Sequence, residues 1–125
     1  MIPLGIAIFA SIGALCRYGA DLLLPASSPQ AFPWHTFVVN ILGSFAMGVI
    51  YFFAAEKALI SESWKVILTT GLLGSFTTFS AFSMQNVILI QEGRWVTAGL
   101  YSASSWLFGI VAVLIAITAM RSLAA

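Results

Sequence analysis

The sequence predicts an all-α membrane protein with four transmembrane helices, and three observations carry that prediction. Hydrophobic residues make up 61% of the 125-residue chain and charged residues only 7%, and the mean hydropathy is +1.04, far from the balance of a soluble domain. No Asp, Glu, Lys or Arg occurs in 22–55, 66–91 or 95–120. A bilayer core about 30 Å thick takes about 20 helical residues, so each of these runs is long enough to cross it.

The spans are placed at 3–24, 33–54, 64–90 and 95–120, which makes residues 1–125 a single transmembrane domain. The first span is apolar through Cys16 and continues past Arg17 and Asp21. It lacks the positive start and the small-residue cleavage pattern of a secretory signal, so it is expected to remain as a helix. Pro25, Ser27, Ser28, Pro29 and Pro33 make the next segment a turn, and the second helix is expected to begin at Pro33. Tyr18, Trp34, Trp64 and Trp95 fall near span ends, where aromatic belts form. Glu92-Gly93-Arg94 makes a tight turn into the fourth span.

The third span carries the sharpest local feature. Gly71, Gly74, Ser75, Thr77, Thr78 and Ser80 cluster around the midpoint of 66–91, so the residues least suited to a helix sit deepest in the bilayer. Irregular backbone at that depth is tolerated only where protein buries it or where it lines a cavity or holds an ion. The third helix is therefore expected to be broken near its middle.

Charge and composition exclude several functions. A formal net charge of +1 leaves no basic surface for nucleic acid. The single cysteine, Cys16, rules out an internal disulfide and reads as a packing residue. Asp21, Glu56, Glu62 and Glu92 all fall at or near span ends, so the buried carboxylate of a proton-coupled small-cation exporter is missing. His35 beside Trp34 reads as an interfacial helix-start residue. The clusters that hydrolysis, redox or phosphate chemistry needs are also missing, so the chain is not expected to be an enzyme.

Neutral polar groups remain at depth. Thr36, Asn40, Ser44 and Gly48 recur every four residues on one face of the second span, as do Thr97, Tyr101, Ser105 and Gly109 on the fourth. Small residues at this spacing serve helix packing, which suits Gly13, Ser44, Gly48 and Gly109 as well as any functional reading. Asn40 differs, because an amide at membrane depth is costly without a partner. Phe79 and Phe82 share a helix face, and aromatic ring edges carry partial positive charge. Hydroxyl, amide and ring-edge groups without carboxylates suit an anion.

Arg17 and Arg94 fall on one side of the bilayer, and Lys57, Lys65 and Arg121 on the side of the termini. Three against two barely specifies an orientation. Such a chain can insert both ways, which permits an antiparallel homodimer, although single-orientation insertion stays open.

Three motifs then carry a resemblance: Ser11-Ile12-Gly13-Ala14-Leu15-Cys16-Arg17-Tyr18, Val39-Asn40-Ile41-Leu42-Gly43-Ser44-Phe45, and Gly74-Ser75-Phe76-Thr77-Thr78-Phe79-Ser80-Ala81-Phe82-Ser83. In this order across one four-span chain they resemble the Fluc (CrcB) family of bacterial fluoride channels. The resemblance implies an antiparallel dual-topology homodimer in the inner membrane whose two pores pass fluoride and lower its cytoplasmic level. It implies that Asn40 donates to fluoride, that Phe79 and Phe82 line the path with Ser80, and that Tyr101 and Ser105 contribute from the fourth span. Arg17 would stand in a vestibule, with a snorkelling helix-end arginine as the alternative. Backbone carbonyls of Gly74 and Thr77 would hold a structural sodium ion on the dimer axis. Family members often have a hydroxyl where this chain has Ala81, an acidic residue where it has Gln85, and a glycine pair where it has Ala10-Ser11. The alternative functions are a proton-coupled cation exporter and a non-conducting membrane assembly subunit.

Overall fold

The computed structural model describes residues 1–125, which form helices joined by short turns. Helix α1, Ile2–Leu23, starts with a proline in its first turn, where the missing amide hydrogen costs nothing. Pro25 prevents its continuation. Helix α2, Trp34–Glu56, follows Pro33 and widens to π spacing over its last turn, Phe52–Glu56. Ala58 in the following turn has a φ of 52°, a left-handed conformation that an L side chain resists.

Helix α3 covers 62–76, and the Ser61 hydroxyl caps it by accepting from the Trp64 amide at 3.4 Å. Its middle, Ile67–Leu73, has π spacing. Thr77 and Thr78 are extended, with φ/ψ of −82°/161° and −151°/123°. Helix α4, Phe79–Gln91, then begins with Thr78 as its cap, the side-chain oxygen accepting from the Ala81 amide at 3.2 Å. Gly93, at φ 72°, turns the chain into helix α5, Trp95–Leu123.

Four helical stretches are long and apolar enough to cross a membrane, with α3 and α4 together making the third, and no strand is present. They are Ile2–Leu23, Trp34–Glu56, Glu62–Gln91 and Trp95–Leu123. Both α2 and α5 run further than composition indicates, because Arg121 Nε reaches Glu56 Oε2 at 2.9 Å and ties their ends together.

Close packing occurs in two pairs, α1 against α3 and α2 against α5. Glycines set both separations. A Cβ on Gly13 would collide with the Leu72 carbonyl oxygen, and one on Gly48 would lie 2.7 Å from the Val113 carbonyl oxygen. Gly13 and Gly48 are thus packing residues, close-approach points of the kind membrane helices use in place of a hydrophobic driving force. Only 15 of 125 residues are buried, so most apolar side chains face outward from the chain. The small core of Leu89, Ala98 and Tyr101 lies where α4 meets α5.

Candidate functional site

The gap between α3 and α4 is closed by a side chain from another helix. Asn40 Nδ2 donates to the Thr78 carbonyl oxygen at 3.1 Å, and the Thr78 amide donates to Asn40 Oδ1 at 2.8 Å. One amide thus satisfies both polar groups of an extended peptide that the bilayer would leave unpaired. One Asn40 N–H remains uncommitted to Thr78.

The same arrangement redirects two backbone amides. In a continuous helix the Thr78 amide would bond the Gly74 carbonyl, and the Ala81 amide the Thr77 carbonyl. Here they go to Asn40 Oδ1 and to the Thr78 hydroxyl. The carbonyls of Gly74 and Thr77 are released from those bonds. Both residues line an open depression of about 330 Å³ that also includes Asn40, Ser44 and Phe79.

A second depression, of about 290 Å³, is lined by Asn40, Phe79, Phe82, Ser102, Ser105 and Trp106. The Phe79 and Phe82 ring centroids lie 5.8 Å apart with planes tilted by 33°. Phe79 is 80% exposed, so little of its own chain covers it. Ser105 Oγ is buried without a hydrogen-bond partner. A buried hydroxyl without a partner carries a desolvation cost that a ligand can relieve.

A polar cavity of about 490 Å³ lies on the other side of Thr78, lined by Arg17, Asp21, His35, Thr36, Ser80 and Gln85 among others. Arg17 makes no ion pair, since the two ion pairs of the chain are Lys65–Glu62 and Arg121–Glu56. The candidate residues fall in three adjoining places, with Asn40 and Phe79 common to two of them. Asn40, Phe79, Phe82 and Ser105 share the groove between α4 and α5, Arg17 and Ser80 line the polar cavity, and Gly74 and Thr77 line the depression at the gap. Ser80 Oγ lies 3.4 Å from Thr78 Oγ1.

Tyr101 lies between groove and cavity. It is fully buried, its ring centroid is 4.9 Å from that of Phe82, and its hydroxyl donates to Gln85 Oε1 at 2.7 Å. Gln85 Nε2 in turn donates to Thr36 Oγ1 at 2.8 Å and lies 3.2 Å from His35 Nε2. In the sequence Gln85 stands as a departure from a family pattern and His35 as an interfacial residue; their convergence depends on three helices meeting. A further pair absent from the sequence reading is Asn86 with Ser102, whose Oγ donates to Asn86 Oδ1 at 2.8 Å and joins α4 to α5. Its only sequence signal is the occurrence of two polar residues within apolar spans.

Comparison with known proteins places the chain in a family. A family model described as CrcB-like protein, Camphor Resistance (CrcB), matches residues 4–117. The chain is 40% identical over 121 residues to the fluoride-specific ion channel FluC of Saccharophagus degradans, covering 96% of this chain and 90% of that one. It is also 40% identical over 121 residues to the protein of the same description from Novosphingobium aromaticivorans, covering 95% of each. A Roseiflexus relative, again described as fluoride-specific ion channel FluC, is 39% identical over 110 residues, or 88% of this chain and 89% of that one. The family match spans nearly the whole chain and the relatives are about 40% identical over most of their length, so the chain belongs to the CrcB family.

Proposed function

We propose that this chain is a fluoride-selective channel that lets fluoride leave the bacterial cytoplasm passively across the inner membrane. The observation that carries the proposal is the unpartnered Ser105 hydroxyl in a groove it shares with Asn40, Phe79 and Phe82. Relatives described as fluoride-specific ion channels support the same reading. Fluoride is small and strongly hydrated, so a path must replace lost water with donors at close range. A hydroxyl, an amide and ring edges supply donors without a fixed charge that would trap the ion. Arg17, unpaired in the polar cavity, raises anion concentration at the entrance.

A groove with Phe79 exposed needs a second wall. The proposed wall is a second copy, inserted in the opposite direction, as the weak charge bias allows; two copies related by a two-fold axis in the membrane plane form two paths. The released carbonyls of Gly74 and Thr77 are hard oxygen ligands. Taken from both copies, they would hold a sodium ion at the dimer axis, where its charge would neutralise the carbonyl dipoles brought together by the gap.

Reconstitution into liposomes tests the function. Fluoride should run down its own gradient while chloride is retained. Uphill fluoride accumulation driven by a proton gradient would replace the channel with a coupled transporter.

A further inference from the structure

We propose that His35, Gln85 and Tyr101 form a proton-sensitive hydrogen-bond relay that turns the Tyr101 hydroxyl toward or away from the anion path. The inference rests on the channel reading above and adds a regulation of that same site. Its basis is donor and acceptor accounting across three helices. Tyr101 donates to Gln85 Oε1 at 2.7 Å, which directs the Gln85 NH₂ group toward Thr36 Oγ1 at 2.8 Å and His35 Nε2 at 3.2 Å. An amide NH₂ has only hydrogens to offer. With the amide in this orientation, His35 Nε2 is the acceptor and the ring hydrogen sits on Nδ1.

A proton added at Nε2 makes both ring nitrogens donors and places two donors face to face. The amide relieves this by turning over. Gln85 Oε1 then accepts from His35 and the NH₂ group donates to the Tyr101 oxygen. Tyr101 no longer has its acceptor in Gln85, and its hydroxyl hydrogen is free for another one. The Tyr101 ring packs on Phe82, and α5 carries Ser105 one turn further on. Gln85 lines the polar cavity, so an anion in that cavity is the acceptor toward which the freed hydroxyl turns. Protonation should therefore raise fluoride current, with the added positive charge acting in the same direction.

The groups facing His35 are few. Arg17 and Asp21 of α1 line the same cavity, Thr36 lies on its own helix, Gln85 comes from α4, and Tyr101 reaches it only through Gln85. Imidazole is the side chain whose ordinary charge change falls between about pH 5 and 8.

Two measurements test the relay. The chain has one histidine, so ¹⁵N-histidine labelling reports a single imidazole by NMR. At high pH the Nδ1–H tautomer is expected, and the Nε2–H tautomer would overturn the proposal whether or not the protein conducts. In planar bilayers, where neutral HF carries no current, fluoride current should rise about threefold between about pH 8 and 5, the effect of about one neutral hydrogen bond. His35→Gln and Gln85→Met should both flatten that profile. A rise persisting in Gln85→Met while absent in His35→Gln would reduce His35 to a plain entrance charge. A rise persisting in His35→Gln would belong to Asp21, and a flat profile in a conducting wild type would also overturn the relay. Absence of any fluoride current would instead defeat the channel reading and leave the tautomer to decide whether the hydrogen-bond polarity is as inferred.

Discussion

Replacing Asn40 by Ala removes the only side chain that satisfies the extended Thr78 peptide. Two hydrogen bonds are lost, at 3.1 and 2.8 Å. Each backbone group left unpaired away from water costs about 1–3 kcal/mol, whereas side-chain bonds deleted within membranes average about 0.6 kcal/mol because the reference state finds partners. With two backbone groups affected at once, Asn40→Ala should destabilise the fold by about 2–4 kcal/mol. Asn40→Asp separates the two bonds. A carboxylate can accept from the Thr78 amide, but it sets a second oxygen against the Thr78 carbonyl and donates only when protonated. Its stability should therefore be nearer wild type in acid and fall as the pH rises, whereas a simple loss of packing would be independent of pH. Equilibrium unfolding in mixed micelles at several pH values measures the stability, and liposome fluoride flux measures conduction on the same samples. An Asn40→Ala loss below about 0.5 kcal/mol, the usual effect of a substitution away from any critical contact, would show that Asn40 does not hold the gap closed.

Four other substitutions have outcomes set by local geometry. Ser105→Ala should leave stability within about 0.5 kcal/mol of wild type, because Ser105 Oγ has no protein partner, while lowering fluoride flux about threefold; unchanged flux would remove Ser105 from the path. Gly48→Ala should cost about 1–3 kcal/mol because its Cβ would lie 2.7 Å from the Val113 carbonyl oxygen. Gly99→Ala, with nothing within 4 Å, should cost nothing by the same unfolding measurement. Ala58→Gly should raise stability by about 0.5 kcal/mol, since release of the left-handed backbone outweighs the added chain entropy of glycine.

The polar residues of the site were legible in sequence to the extent that each violates its apolar surroundings. Asn40, Thr78 and Ser105 stand out because hydroxyls and amides at membrane depth need a reason. Phe79 and Phe82 are harder to read, since apolar rings are ordinary in a span; only their place among hydroxyls singles them out. Gln85 and His35 are 50 residues apart in sequence. Spacing rules within one helix cannot join them, and the contact became visible only once α2 and α4 met.

By itself, the sequence determined the four spans, because charge-free length is a direct requirement of the bilayer and owes nothing to which helices are neighbours. It also raised the expectation of an interruption in the third span, since glycines and β-branched Thr77 and Thr78 fall together at the deepest level. Tertiary structure alone decided what becomes of that interruption. The Asn40 amide comes from another helix to complete the Thr78 peptide, Gly13 and Gly48 let the paired helices approach closely, and Tyr101 is turned to Gln85, away from the groove that holds Ser105. Hydrogen bonds between distant residues are directional and short, so they exist only after packing has set the helices within about 3 Å of donor–acceptor reach.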